Sequence, residues 1–562
     1  MPELLHPGVY TFEVSSGVRP IEGVSTSTAA FIGNAEKGPI PGTILPNGRM
    51  AQPEMVTSLT EYFRRYGGFR KDSYLTYAVR AFYDNGGRRA YIVRVAPKPP
   101  AGPNPGNAIV VPTAATTKID TLAISAANQG EWGKRIWIRI AESSDKAEND
   151  DKKANHFKLQ VLYGTAVDDP KPSVVETFDN VDWRSAELTY VQTVVNSRSE
   201  FIAITNDNGL NKLTARPKFN QTLKANGDID KDEPAQLKTG GLDAKGITEV
   251  DCIGIAAADN TVTGTGLHAL DKINDVNIIA IPGFGSKETV RAGMEYCKNS
   301  RPLQDCFFIG DAGVLPIETA RTIGSSPSVS TIRQARDFAD DARSSFGDFG
   351  AVYFPWVLAA DPIGVPPNPR ILLPPSGFLA GIYARVDNSR GVFKAPAGTL
   401  DSGVAGALAV ATSVSDIEQD QLNPKGMNVV RLAPAGGGIV VWGTRTIGND
   451  PEWRYIPVRR MAIFLRVSIY YGIQWAVFEP NDEPLWSALR LNIRAFMLTQ
   501  FRAGAFQGSK PDDAFFVRCD ATTTTQQDID NGVVNILVGF APLKPAEFVV
   551  LKLSQKVNQP AG

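Results

Sequence analysis

Apolar positions in this chain recur in two different periods, and the switches between them divide it. Near the front, "TSTAAFIGNAEKGP" (26–39) reads as a short buried strand running into a Gly/Pro loop. "SLTEYFRRYGG" (58–68) predicts a helix, with Ser58 and Glu61 at capping-box spacing and two glycines closing it. "SYLTYAVRAFYDNGG" (73–87) predicts a second helix ended at Asn85-Gly86, and "AYIVRV" (90–95) a strand. This β-α-α-β order predicts the edge of an α/β sheet. The same rhythm returns near residue 250. "CIGIAA" reads as a strand, "TGLHALDKIN" as a helix and "VNIIAI" (276–281) as a strand. "SKETVRAGMEYCKNS" leads to "DCFFIG" (305–310), and "STIRQARDFADDARSS" to "GAVYFP" (350–355). Continuous apolar strands separated by helices predict a parallel sheet covered on both faces. A Pro/Gly-rich crossover, "DPIGVPPNPRILLPPSGFLAG", follows.

Between these halves the pattern changes at a proline-rich break, "APKPPAGPNPG" (96–106). Short β-like runs such as "RIWIRI" and "HFKLQVLYG" then alternate with polar loops, and "ESSDKAENDDKKAN" (142–155) is a charged surface loop. This predicts an inserted, mostly β domain on the outside. The last portion opens with the strand "GIVVWGTRTI" and contains a long amphipathic stretch, 484–506. There Leu485, Leu489, Ile493, Phe496, Met497 and Phe501 form one helical stripe. Arg490, Arg494 and Arg502 fall elsewhere on it. The helix either covers a core with a solvated basic face, or it offers its arginines to an acidic partner.

Both ends of the chain read as lone strands. In "HPGVYTFEVSSGVRPIEGV" (6–24), Tyr10, Phe12 and Val14 share a face. In "KPAEFVVLKLSQKV" (544–557), Val549, Leu551 and Leu553 point one way, and Phe548, Val550 and Lys552 the other. Neither strand has a hairpin partner beside it, and an unpaired strand seeks another sheet edge, which a neighbouring subunit can supply. The expected fold is a mixed α/β multidomain chain. Residues 1–24 form an N-terminal linking arm, 25–96 the first part of the core, and 97–245 the inserted β domain. Residues 246–420 complete the α/β core, 421–544 form a C-terminal α+β domain, and 545–562 form the C-terminal arm.

Composition narrows the chemistry. A net charge of −1 makes no case for nucleic acid or an anionic membrane. Residues 1–95 carry +3 and 421–562 carry +4, so the middle is acidic. Cys252, Cys297, Cys306 and Cys519 lack metal-site spacing and read as buried thiols of a reducing compartment. The opening residues show no signal-peptide pattern, and the apolar run 351–360 is too short to span a bilayer. His6, His156 and His268 lie in separate segments with no acid at ligand spacing, a poor basis for zinc or a Ser-His-Asp triad. No G-x-x-x-x-G-K-[ST] loop and no G-x-S-x-G elbow occur. "GTGLHA" (Gly264–Ala269) matches a nucleotide fingerprint, but "ADNTVT" before it is not the strand that fingerprint requires. A nucleotide-binding α/β enzyme using Gly264–Ala269 is one rival reading. A secreted surface-layer protein is another, and the missing signal pattern argues against it.

Across nearly its whole length the chain resembles the tail sheath proteins of contractile phages and contractile injection systems. The marks are "PGVYTFEV", "GVSTSTAAFIG", "YLTYAVRAFYDNGGRRAYIVRV", "NQGEWGKRIWIRI", "TGLHALDKINDVNIIAIPG", "PPSGFLAGIYARVDNSRGVFKAPAG", "LNPKGMNVVR" and "GGIVVWGTRTI", in that order. Asn128–Gly130 departs from the family's more usual proline before the glycine, which alters a turn. The resemblance implies a non-enzymatic helical homopolymer around an inner tube protein, with baseplate and tail terminator or cap proteins at its ends. It implies no cofactor, no direct nucleic-acid contact and no membrane insertion. It implies assembly in the cytoplasm, and firing without ATP. Tyr10, Phe12 and Val14, with Phe548, Val549, Val550, Leu551 and Leu553, would anchor the two arms in sheets of adjacent subunits. Arg490, Arg494 and Arg502 would face the tube. The outward placement of the inserted domain predicts that limited proteolysis of assembled protein cuts within 142–155 first; protection of that loop would contradict the placement.

Overall fold

The computed structural model describes residues 20–97, 112–144, 154–205, 213, 215–223, 229–244, 246–258, 263–367, 369–434 and 436–548. The chain divides into two compact units, one of Met1–Ser25, Arg390–Ala395 and Pro457–Gly562, the other of Thr26–Ser389 and Pro396–Ile456.

The larger unit begins with β1 (Ala29–Gly33), β2 (Glu54–Val56), helices α1 (Leu59–Tyr66) and α2 (Leu75–Asp84), and β3 (Ala90–Arg94). Ser58 caps α1, its hydroxyl accepting from Glu61 N–H at 3.2 Å, but the expected capping box does not close: the Glu61 carboxylate accepts instead from Thr57 N–H and Thr57 Oγ1, both at 2.8 Å. An inserted stretch follows, with β4 (Thr113–Ile119), β5 (Leu122–Ala126), β6 (Ile136–Glu142), β7 (His156–Tyr163), β8 (Ser173–Asp182), helix α3 (Val191–Arg198) and β9 (Ile202–Ile204). It closes with β10 (Gln221–Leu223), β11 (Ile229–Asp232), β12 (Ala235–Gln236) and β13 (Thr239–Leu242). Two four-stranded sheets, β12-β6-β7-β8 and β13-β4-β5-β9, enclose an apolar core that includes Ile138, Leu159, Trp132 and Val195.

After α4 (Glu249–Ile253) come β14 (Ile278–Ala280), α5 (Lys287–Glu295), β15 (Phe307–Asp311), α6 (Ile332–Ala342), β16 (Gly350–Phe354), β17 (Val357–Ala360) and β18 (Arg370–Leu373). Then follow α7 (Ser376–Arg390), β19 (Ala407–Val410), α8 (Asp416–Leu422), β20 (Met427–Leu432) and β21 (Ile439–Trp442). One eight-stranded sheet runs β2-β3-β1-β14-β15-β16-β20-β21. Its six inner strands are parallel, and β2 and β21 pair antiparallel at the edges. Every residue of β1, β14, β15 and β16 is buried, as strands covered on both faces must be. β20 and β21 join this sheet through β16, so it draws on residues that the sequence pattern assigns to the C-terminal domain.

Three local readings change. "CIGIAA" is not a strand: Thr248 and Asp251 form a capping box and start α4, which ends at Gly254 at φ 71°. "TGLHALDKIN" is only a 3-10 turn, Gly266–Leu270. The Pro/Gly-rich crossover contains β18 and the start of α7. That helix is buried on nearly all sides over 376–384, so it has no polar face to reveal its period. A Cβ at Gly377 would lie 2.6 Å from Ala78 Cα, and one at Gly381 2.5 Å from the Phe82 carbonyl, so α7 lies directly against α2 at these glycines.

Buried charges tie the inserted domain to the sheet. Arg94, at the end of β3, donates to the carbonyls of Gly38 (2.9 Å) and Gln129 (2.7 Å). Arg70 pairs with Asp243 at 2.7 Å and Arg135 with Glu36. The Lys37 ammonium lies 5.5, 5.6 and 5.2 Å from the ring centroids of Trp132, Tyr163 and Phe201. Burial lowers its pKa to about 8.

The smaller unit contains α9 (Ile456–Gly472), α10 (Glu483–Arg502), β22 (Phe515–Arg518) and β23 (Leu537–Phe540). Its core gathers Met461, Leu465, Ile493, Phe496, Met497, Phe515 and Val517, with Ile21 and Val392 from earlier in the chain. A Cβ at Gly472 would meet Ile21 Cγ1 at 2.6 Å, so the glycine admits that N-terminal side chain.

In the larger unit, Asp311 at the end of β15 accepts from Ser376 N–H (2.7 Å) and Ser376 Oγ (2.8 Å) at the start of α7. Burial outweighs these donors and pushes its pKa up to about 7. The folded protein therefore holds a proton that the unfolded chain releases near pH 4. The Asp311 contribution to stability is predicted to fall as pH rises from about 4 to about 7, by on the order of 4 kcal/mol, and then to level off, against the opposite contribution of carboxylates held below their usual range such as Asp182 and Asp243. Urea unfolding across that range should show the stability of Asp311→Asn rising relative to the parent as pH increases; a difference that does not change with pH would contradict this account.

Candidate assembly surface

The smaller unit carries an incomplete sheet. β22 and β23 pair antiparallel from Phe515↔Phe540 to Arg518↔Leu537. Among the described residues no other strand joins them. A two-stranded ribbon is marginal alone, and its outer edges are templates for further strands. The inner face, with Phe515 and Val517, packs into the core around α10. The outer face carries Phe516, Arg518 and Leu537, all exposed, with Gly539 opposite Phe516. Arg518 lies 5.4 Å from the Phe516 ring centroid.

α10 buries the stripe read from the sequence: Leu485, Leu489, Ile493, Phe496 and Met497 are buried and Phe501 is half-buried. The helix starts at Asp482, whose carboxylate accepts from Leu485 N–H at 3.1 Å. Its three arginines differ in their surroundings. Arg490 is two-thirds buried and donates to the Cys519 carbonyl (2.6 Å), Ser487 Oγ (3.0 Å) and Glu483 (3.3 Å). Arg494 is half exposed, pairs with Asp512 at 2.7 Å and lies 5.9 Å from the Phe515 ring. Arg502 is exposed in the last turn, where the helix dipole favours a cation.

Of the arm residues, Phe548 is described and is 73% exposed. Tyr10, Phe12, Val14, Val549, Val550, Leu551 and Leu553 lie outside the described residues. The sequence pattern did not single out Phe478, Phe516 or Leu537, three exposed apolar side chains of this unit. Each sits in a continuous apolar run (Phe515–Val517, Ile536–Val538, Ala476–Phe478), where no polar alternation marks the uncovered side chain; their exposure is visible only in three dimensions.

Other candidate chemistry resolves into packing. In "GTGLHA", a Cβ at Gly264 would lie 2.5 Å from the His268 carbonyl, and one at Gly266 2.3 Å from that of Cys252. These glycines admit the chain's own backbone. His156 faces buried Asp182 at 3.6 Å, and His268 Nδ1 lies 3.2 Å from Asp271. All four cysteines are buried, and burial raises each thiol's pKa. Among the described residues no group of three or more His, Cys, Asp or Glu could hold a metal ion, and no helix is long and apolar enough to cross a membrane.

Comparison with known proteins agrees with this architecture. Residues 255–447 match the phage tail sheath protein central domain, and 448–556 the phage tail sheath C-terminal domain. The tail sheath protein of Vibrio phage KVP40 is 27% identical over 181 residues, 32% of this chain and 26% of that protein. A putative prophage major tail sheath protein of Pseudomonas aeruginosa is 23% identical over 31% of this chain and 44% of its own length. The matched segments thus span a quarter to under half of these relatives. The sheath of the extracellular contractile injection system PVC, in its contracted state, superimposes with a TM-score of 0.54 at 21% identity, covering 99% of each chain. A sheath tail protein of Listeria innocua gives 0.55 at 11% identity, covering 93% of this chain and 96% of its own. With the two domain matches running end to end from 255 to 556, the chain belongs to the phage tail sheath family.

The geometry separates the three arginines by stability. Arg490→Ala is expected to cost about 1–2 kcal/mol, because it removes bonds to a carbonyl and a carboxylate. Arg494→Ala and Arg502→Ala should each stay within about 0.5 kcal/mol. Denaturant unfolding of the three variants checks the ranking.

Proposed function

We propose that this chain is the structural, non-enzymatic subunit of a contractile tail sheath. It polymerises helically around an inner tube, shortens on triggering, and drives the tube through a target envelope. The observation that carries this reading is the two-stranded β22–β23 sheet, which no third strand joins among the described residues, in a chain with apolar strand-like sequences at both ends. Each terminal arm adds a strand to that sheet in an adjacent subunit, through Tyr10, Phe12 and Val14 at one end and Phe548, Val549, Val550, Leu551 and Leu553 at the other. Backbone pairing of this kind links subunits while leaving their bodies free to shift. The energy of firing is a difference between two packings of one chain, stored at assembly, and ATP has no part in it.

The inserted domain lies on the outside of the polymer. Arg494 and Arg502, with Arg490 behind them, hold the inner tube by exposed charge contacts, individually worth about 0–1 kcal/mol and therefore breakable on firing. Baseplate and terminator proteins bound the polymer. It assembles in the cytoplasm and then forms part of a phage tail or injection particle.

Negative-stain electron microscopy of the full chain and of a variant lacking residues 546–562 tests the reading. Hollow striated tubes from the full chain alone are expected. Tubes from both would remove the C-terminal arm from the account, and discrete monomers from both would remove the sheath. In co-assembly with a tube protein, charge reversal at Arg494 and Arg502 should reduce sheath–tube association; unchanged association would withdraw those residues.

A further inference from the structure

The loop joining α9 to α10 holds a phenylalanine that does nothing for the isolated fold. Phe478 sits at φ 70°, a left-handed backbone that bulky side chains avoid. Its side chain is fully exposed, at 103%. Backbone strain of this kind persists only where the surroundings enforce it, and it concentrates at functional positions. The surroundings do enforce it. Ala476 N–H donates to the Ile473 carbonyl, Val477 N–H to that of Gln474, and Glu479 N–H to that of Ala476. Asn481 Nδ2 donates to the Val533 carbonyl at 3.1 Å and receives Trp486 Nε1 at 2.8 Å. The result is an exposed aromatic on a backbone held by hydrogen bonds, beside Val477, which is also exposed, and flanked by the exposed carboxylates of Glu479 and Asp482. Rigid aromatic anchors of this sort dominate interfaces, because little entropy is lost when they dock.

The same unit carries a face of matching chemistry. On the outer side of the β22–β23 hairpin, Phe516 and Leu537 are exposed apolar groups and Arg518 is an exposed cation between them. A Cβ at residue 539 would lie 2.2 Å from the Phe516 ring, so Gly539 lets that ring lie across the strand pair as a flat ledge. One surface is apolar with carboxylates, and the other is apolar with a guanidinium.

We propose that the Phe478 tip of one copy docks on the outer face of the β22–β23 hairpin of the next, with Glu479 opposite Arg518. The contact joins two different surfaces, so it repeats head to tail, into a ring or an open helix, and not as a two-fold dimer. It involves side chains of a sheet face and is separate from strand addition at the sheet's edges. It rests on the reading of the chain as a self-assembling subunit.

The test is the critical concentration for polymer formation by the full chain, followed by light scattering and electron microscopy. Phe478→Gly relieves the left-handed strain, so its unfolding midpoint should equal or exceed the parent's. Its critical concentration should nevertheless rise at least about tenfold, as for loss of an interface anchor. Glu479→Arg and Arg518→Glu should each impair polymerisation, and the double variant should recover most of it. Parent-like assembly by Phe478→Gly would overturn the proposal, as would a double variant no better than the singles. Normal self-assembly with lost co-assembly on a tube protein would assign the tip to the tube and overturn it as well. A parent chain that never polymerises would overturn the sheath reading along with this one, so the two failures are told apart.

Discussion

Backbone hydrogen bonding at sheet edges is the constraint on which this architecture turns. Every strand presents N–H and C=O groups that must be paired or left in water. The eight-stranded sheet caps its parallel strands with antiparallel β2 and β21, and the outer side of β21 is covered in turn by residues 398–404. The β22–β23 ribbon is joined by no further strand among the described residues, and its only such cover lies just past β23, where Phe506 bridges Pro542 and Gln507 N–H donates to the Ala541 carbonyl. One sheet is finished within the chain. The other is the natural place for partners, and the proposed function places the terminal arms there.

Charge works in two ways in this protein. Inside the larger unit, Arg94, Arg70 and Arg135 bind carbonyls and carboxylates across the junction with the inserted domain, and Lys37 fills a ring of three aromatics. Breaking one buried partner from such a set leaves an uncompensated charge, so these contacts hold their elements firmly. On α10, Arg494 and Arg502 face water, where ion pairs are weak and exchangeable. Firm attachment suits a body that moves as a unit. Weak attachment suits the tube-facing surface of the proposed function, which has to let go on firing.

Phe478 shows how a local conflict points outward. Its backbone is strained and its ring is bare, yet hydrogen bonds on either side of it hold the turn. A sequence that kept such a residue for folding alone would gain from a glycine there. The hairpin face carrying Phe516, Arg518 and Leu537 has the complementary composition, which makes a subunit contact the simplest use of both.

Much of the fold was legible because its signals are local. The α/β alternation, the Ser58 cap of α1, the buried runs at 29–33, 307–311 and 350–354 and the apolar stripe of α10 follow from periodicity and cap chemistry, which act within a few residues. The exceptions have physical causes. α7 hides its period because its surroundings are apolar on nearly every side, and Cys252–Ile253 belong to a short capped helix that mimics the apolar start of a strand. Only the tertiary structure placed β20 and β21 in the large sheet, brought Asp311 to the start of α7, and divided the arginines of α10 into one largely buried on the Cys519 carbonyl and two exposed to solvent. Those outcomes depend on contacts between residues far apart in the chain, whose partners no local pattern can name.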